Sequence, residues 1–141
     1  LATSPEITVQ DADPTYEITE NTSTVIEGDS FTVTVNTTNY PNPNVYYRIV
    51  PVGTPAVDPS DFENFSGAIP ITSSEDSVTH TIETINKSVY SGTRGFKVII
   101  SDAPSGTEEA STGTIQLVDA APTYAITVPS SVQEGNSFQF T

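Results

Sequence analysis

The sequence predicts an all-β fold, a sandwich of two packed sheets, and three observations carry that prediction. Short runs of alternating apolar and polar residues recur along the chain, the period of half-buried strands. Threonine is the commonest of the 141 residues, serine and valine follow, and eleven prolines and eight glycines are spread throughout. That composition suits strands and turns, and no helical period interrupts it. The third observation is a repetition: Val25-Ile26-Glu27-Gly28-Asp29-Ser30-Phe31-Thr32-Val33-Thr34-Val35 returns, cut short, as Val132-Gln133-Glu134-Gly135-Asn136-Ser137-Phe138-Gln139-Phe140.

Taken in order, the first strand is split between Tyr16 to Thr19 and Thr24 to Glu27. The second runs from Ser30 to Thr37 with Phe31, Val33 and Val35 inward. Prolines and asparagines at Asn39 to Asn44 preset a turn, and a third strand, Val45 to Val50, points Val45, Tyr47 and Ile49 to one face. Pro51 to Gly67 is the longest irregular stretch, and it carries Asp58, Asp61, Phe62 and Phe65; long loops are where function concentrates. A short strand follows at Ala68 to Thr72, then one from Ser77 to Ile85 with Val78, His80 and Ile82 sharing a face. The sixth, Gly95 to Ile100, buries Phe96, Val98 and Ile100, and Ser111 to Val118 is the last. About seven such strands in about a hundred residues fit an immunoglobulin-like Greek-key sandwich, with a core of Phe31, Val33, Tyr47, Ile49, Ile69, Ile82, Phe96 and Val98.

The repetition extends beyond one motif. Ile7 to Thr19 aligns with Ile115 to Thr127 at a shift of 108, which is 122 minus 14 for the two prolines. The Glu-Gly pairs are 107 apart, 134 minus 27. The expected organisation is therefore the last strand of a preceding repeat and a linker in residues 1–13, one complete repeat in 14–119, and a linker with the first strands of a following repeat in 120–141. A tandem array implies a segment of a longer polypeptide, with neighbouring repeats as its first partners.

Eighteen acidic side chains face only four lysines and arginines, a formal net charge of −14. Such a surface repels a phosphate backbone, so nucleic acid is not an expected partner. No apolar run is long enough to insert in a membrane. The absence of cysteine excludes disulfides and thiolate metal sites. His80 is the single histidine and sits in strand register with Val78 and Ile82, so no Ser/His/Asp set can be built without drawing on a packed residue. The chain reads as non-enzymatic. Tyr40, Tyr46 and Tyr90, with the outward threonines, form a candidate surface for a carbohydrate or another subunit.

The motif from Val25 to Val35, then Gly53-Thr54-Pro55-Ala56, Asp61-Phe62, Ser66-Gly67-Ala68-Ile69, Gly95-Phe96-Lys97-Val98 and Gly113 to Asp119 resemble, in order, the landmarks of a Calx-beta domain. The flavour of the repeat is also similar to tandem modules in structural proteins of marine tailed bacteriophages and to modules of bacterial surface adhesins. The Calx-beta resemblance implies a calcium site at one end of the sandwich, to which Glu27, Asp61 and Asp119 correspond. The two remaining acidic positions read Asn86-Lys87 and Thr93-Arg94, and calcium needs about six to eight oxygens. The alternative for these acids is solvated turns with Glu27 paired to Lys87 or Arg94.

Together these readings imply an extracellular structural module, a spacer, stalk or decoration in a fibre or virion appendage of a bacteriophage, with other virion or fibre subunits as partners and no cofactor. The alternative is a calcium-stiffened adhesin module on a bacterial surface that binds glycan or protein.

Overall fold

The computed structural model describes residues 1–139; Phe140, the end of the echoed motif, and Thr141 lie outside the described residues. Among the described residues nine strands follow in order: β1 Thr15–Glu20, β2 Thr24–Ile26, β3 Ser30–Thr38, β4 Asn44–Val52, β5 Ser66–Pro70, β6 Asp76–Glu83, β7 Arg94–Ser101, β8 Ala110–Ser111 and β9 Ile115–Val118. Counting β1 with β2 and β8 with β9 as interrupted strands leaves the seven that the periodicity predicts. One sheet has the order β1-β3-β6 and the other β2-β9-β7-β4-β5, with β8 also on β7. All pairs are antiparallel except β2 with β9.

The sheets close on a core to which β3 contributes Phe31, Val33 and Val35, β4 contributes Val45, Tyr47 and Ile49, and β7 contributes Phe96, Val98 and Ile100. Every member of the sequence-predicted core is buried. Phe96 is its pivot, with ring centroids 5.6 Å from Phe31 and 5.1 Å from Phe62, the latter edge-on; such pairs add about 0.5–1.5 kcal/mol each beyond area burial. β7 is buried almost throughout because it is central in its sheet.

Four sequence expectations need correction. β5 lies two residues earlier than predicted, because Tyr46, Tyr47 and Arg48 draw Ala68, Gly67 and Ser66 into register. The last strand is broken. Ile99 pairs with Ser111 while Phe96 pairs with Ile115, so the register sum rises from 210 to 211 and one extra residue bulges out. Thr112 fills the gap, its N–H donating to the Val98 carbonyl at 2.9 Å while its Oγ1 accepts from the Val98 N–H at 3.0 Å. Tyr40, expected outside, is buried against Tyr16 with its hydroxyl donating to the Asn44 carbonyl at 2.7 Å. Finally, Ile7 to Gln10 form no strand. Their counterpart β9 is held by β7 and β2, and residues 1–14 have no second copy of either to pair with.

The echoed segment is not paired into a sheet, yet its turn is formed. Gly135 has φ 85° against 89° for Gly28. The Asn136 N–H donates to Gln133 O at 3.1 Å, as the Asp29 N–H does to Ile26 O at 3.0 Å. Both glycines occupy the left-handed region that other residues enter only with strain.

The sandwich has two distinct ends. At the leading end β1 begins opposite Thr38, beside the loops 39–43, 71–75 and 102–109. At the trailing end β2 stops, β7 starts and β9 finishes, and the loops 53–65 and 84–93 lie there with the Glu-Gly turn.

Candidate functional site

The acidic residues singled out in the sequence meet at the trailing end, around a guanidinium. Alternation places Glu27 there: Val25 points inward in β2, so the residue two further on does too, just past the end of the strand. The Glu27 N–H donates to Val118 O at 2.8 Å, and the Gly28 N–H donates to Thr84 Oγ1 at 2.9 Å. The Thr84 hydroxyl in turn donates to Asp29 O at 2.7 Å, which ties the Glu-Gly turn to the end of β6.

Asp61 arrives from the long loop, which is stitched rather than irregular. Ala56 bridges to Gly95 and Phe62 to Thr84, and Val57 and Phe62 plug the end of the core. Between them Pro59–Asp61 forms a single 3-10 turn with Asp58 as N-cap and a capping box. Asp61 Oδ2 accepts from the Asp58 N–H at 2.7 Å, and the Ile85 N–H donates to Asp61 O at 2.9 Å. Asp61 is 0% exposed. Asp119, just past β9, accepts at Oδ2 from the Ser91 N–H at 3.0 Å and the Gly92 N–H at 2.7 Å.

Arg94 completes the cluster from the first position of β7, on the same face as Phe96 and Val98. Its side chain is buried; Nη1 donates to Asp61 Oδ1 at 2.5 Å, Nη2 donates to Glu27 Oε1, and Nη2 lies 3.7 Å from Asp119 Oδ1. Lys87 Nζ reaches Asp61 Oδ1 at 2.7 Å and Asp58 Oδ2 at 3.2 Å. Four carboxylates thus face two cations. Burial pulls the Arg94 pKa down, but the hydrogen bonds and charges of Asp61 and then Glu27 outweigh it and the net displacement is upward. Hydrogen bonding to Asp61 raises Lys87 against its own partial burial. Asp58 is held low by the Ser60 hydroxyl and N–H and then by Lys87.

This geometry corrects one reading of the acids and sharpens another. Glu27 and Asp61 are not in solvated turns but buried, and Glu27 pairs with Arg94 whereas Lys87 pairs with Asp58 and Asp61. Arg94 and Lys87 already take up Asp61 Oδ1 and Glu27 Oε1, and backbone N–H groups take up Asp61 Oδ2 and Asp119 Oδ2. The oxygens left over fall short of the six to eight that calcium takes, and the guanidinium places a fixed positive charge against them. As arranged, these residues do not fit a calcium ion. Among the described residues no group of three or more His, Cys, Asp or Glu side chains is placed to hold a metal.

Asp58 escaped the sequence reading of the site, although a Asp-Pro-Ser-Asp stretch is a helix-start signal. So did the central place of Arg94, which the alternation Arg94, Phe96, Val98, Ile100 would have put on the inward face. His80 packs its ring 4.9 Å from that of Tyr47, and burial lowers its pKa. It borders an open groove of about 410 Å³ that also includes Glu63 and Glu83. Among the described residues no helix is long and apolar enough to cross a membrane.

Two antiparallel-dominated sheets around a shared core define the class, an immunoglobulin-like β-sandwich. Several solved structures are similar to this chain. The apo-form Calx CBD1 domain matches at TM-score 0.46 and 14% identity, over 76% of this chain and 99% of that one. CBD12 from CALX1.2 matches at TM-score 0.46 and 20% identity, over 72% of this chain. The calcium binding domain CBD12 of CALX1.1 matches at TM-score 0.45 and 18% identity, over 73% of this chain. The match spans 44% of each of the last two chains. No protein-family profile and no curated protein matches the sequence.

Proposed function

We propose that the chain is a non-enzymatic structural module of a tandem-repeat extracellular fibre or virion appendage, a spacer, stalk or decoration of the kind built into bacteriophage structural proteins. The observation that carries this reading is the second Glu-Gly turn, which takes the backbone shape of the first although no sheet is paired around it. Among the described residues every strand and the core fall within residues 15–118, which supports reading that span as one repeat. The backbone enters at the leading end and leaves at the trailing end, which suits serial linkage. β3 alone, at nine residues, gives a sheet length of about 30 Å, so each added module lengthens a stalk by at least that much.

The trailing end is closed by Arg94 and Lys87, charges the chain carries itself, and on this reading the array needs no metal to be stiff. Small-angle scattering on chains with increasing numbers of repeats tests the proposal. A maximum dimension that grows by a constant step supports it, and compaction into a globule overturns it. Mass spectrometry of purified virions, set against bacterial surface fractions, tests the location.

A second reading, an adhesin module stiffened by calcium, draws on the excess of carboxylates over cations at the trailing end. Sensitivity of the array's length to chelator separates the two.

A further inference from the structure

Four apolar side chains stand exposed at the trailing end: Ile26 at 47%, Ile85 at 39%, Val89 at 65% and Tyr90 at 89%. Val89 and Tyr90 line a groove of about 340 Å³ together with Glu27, Asn86, Asp119 and residues 120–123 of the connecting segment. From the repeat reading, and resting on it, we infer that this surface is the docking site for the leading end of the next copy of the module, and that the element seated on it is that copy's equivalent of the turn Asn39 to Asn44.

The tether sets the distance. Asp119 is pinned by the Ser91 and Gly92 amides. Thr123 is the counterpart of Thr15, 108 positions earlier, where β1 begins. Three residues, Ala120, Ala121 and Pro122, separate the two, so four Cα steps span at most about 14 Å. The leading end of the following copy cannot lie farther away. In the module Thr15 pairs with Thr38, one strand spacing of about 4.8 Å across, and Thr38 runs directly into the turn. The turn is therefore within reach of the loop whose amides hold Asp119.

Charge selects this turn among the leading-end loops. Asn39-Tyr40-Pro41-Asn42-Pro43-Asn44 carries no charge, whereas its neighbours carry Glu75, Asp76, Asp102, Glu108 and Glu109. The loop it meets, Asn86 to Gly92, holds one lysine and no acid. Against a trailing end that already holds Glu27, Asp58, Asp61 and Asp119, either acidic leading-end loop would bring further carboxylates, at a cost where they are desolvated, whereas this turn brings none.

The absence of cysteine makes the test direct. Residues 1–121 are joined to residues 14–141, which preserves the native Ala-Ala-Pro-Thr connection between two copies. Cysteine is placed at exposed positions, Tyr90→Cys in the first copy and Asn42→Cys in the second. The expected result is intramolecular disulfide formation on the order of tenfold faster, through higher effective concentration, than in a control that pairs Tyr90→Cys with Thr81→Cys in the second copy. Equal rates overturn the inference. Scattering on the uncrosslinked two-copy chain separates the failures: equal rates in an elongated particle sink the docking site alone, and a side-by-side particle sinks the array reading as well.

Discussion

The guanidinium of Arg94 lies 2.5 Å from the carboxylate of Asp61, 33 positions earlier in the chain, with both side chains almost wholly removed from solvent. A strand start and a loop turn are thereby locked at one end of the sandwich. Removing either partner of a buried pair leaves an uncompensated charge, which typically costs about 3–5 kcal/mol. Arg94→Met is expected to lose about that much in urea unfolding, and Arg94→Met with Asp61→Asn to lose less than Arg94→Met alone. Arg94→Lys does not rescue the site, because one ammonium cannot address Asp61 and Glu27 in the fork geometry of a guanidinium. A loss below about 1 kcal/mol, the range of exposed pairs, would refute the buried lock.

With its cations built in, the trailing end has no need of a free one. The melting temperature of the native chain is expected to be the same in millimolar calcium as in chelator. A ligand that binds only the folded state would raise it in proportion to the logarithm of concentration. A calcium-dependent rise, lost in Glu27→Ala, would show that a carboxylate oxygen of the cluster is available after all.

Burial holds His80 below its ordinary pKa, and the sign of its effect on stability follows. Between its folded and unfolded pKa values the unfolded chain binds the extra proton, so stability falls as pH drops below about 6.5. His80 contributes in full above that value and loses its contribution through the folded pKa. Asp58 and Asp76, both held low by local hydrogen bonds, add a separate loss only below about pH 4. Urea midpoints at pH 7.5, 6.0 and 5.0 are expected to decline for the native chain and to stay flatter for His80→Phe. Parallel declines would remove His80 as the cause.

Gly95 marks where two strands and the long loop crowd together. A Cβ there would lie 2.7 Å from the Val52 carbonyl oxygen, a backbone atom in the paired strand. Gly95→Ala is expected to destabilise by about 1–3 kcal/mol, the usual range for overpacking. Gly53→Ala meets no atom within 4 Å but sits at φ 82°, so its cost is the left-handed backbone penalty of about 1–2 kcal/mol. A neutral Gly95→Ala in a denaturant melt would mean that the β4–β7 pair can shift to make room.

Much of the fold was legible because the strands obey period two. Phe31, Val33 and Val35, or Phe96, Val98 and Ile100, declare an inward face without help from the rest of the chain. The bulge at Thr112 was missed although Gly113, an isolated glycine in a strand pattern, is a sign of one. Tyr40 was misread because a tyrosine in a Pro-Asn turn suggests a surface, whereas Tyr16 supplies a ring for it to pack on. At the site, the structure brings Glu27, Asp61 and Asp119 together at one end, around Arg94. What the sequence concealed was that Arg94, read as a companion lost from the acidic set, stands at its centre. A charged residue opening an apolar strand is easily assigned to solvent, and only its register shows otherwise.

One consequence of the topology is mechanical. β1 enters from the leading end with six residues paired to β3, while β9 leaves at the trailing end between β7 and β2. A pull applied at the two termini runs along both strands, so it loads their ladder hydrogen bonds in shear, all at once, instead of peeling them one by one from a free end. The parallel β2–β9 pair resists alongside the antiparallel ones. A module pulled at its two termini would yield by sudden rupture of a whole strand pair and not by gradual fraying.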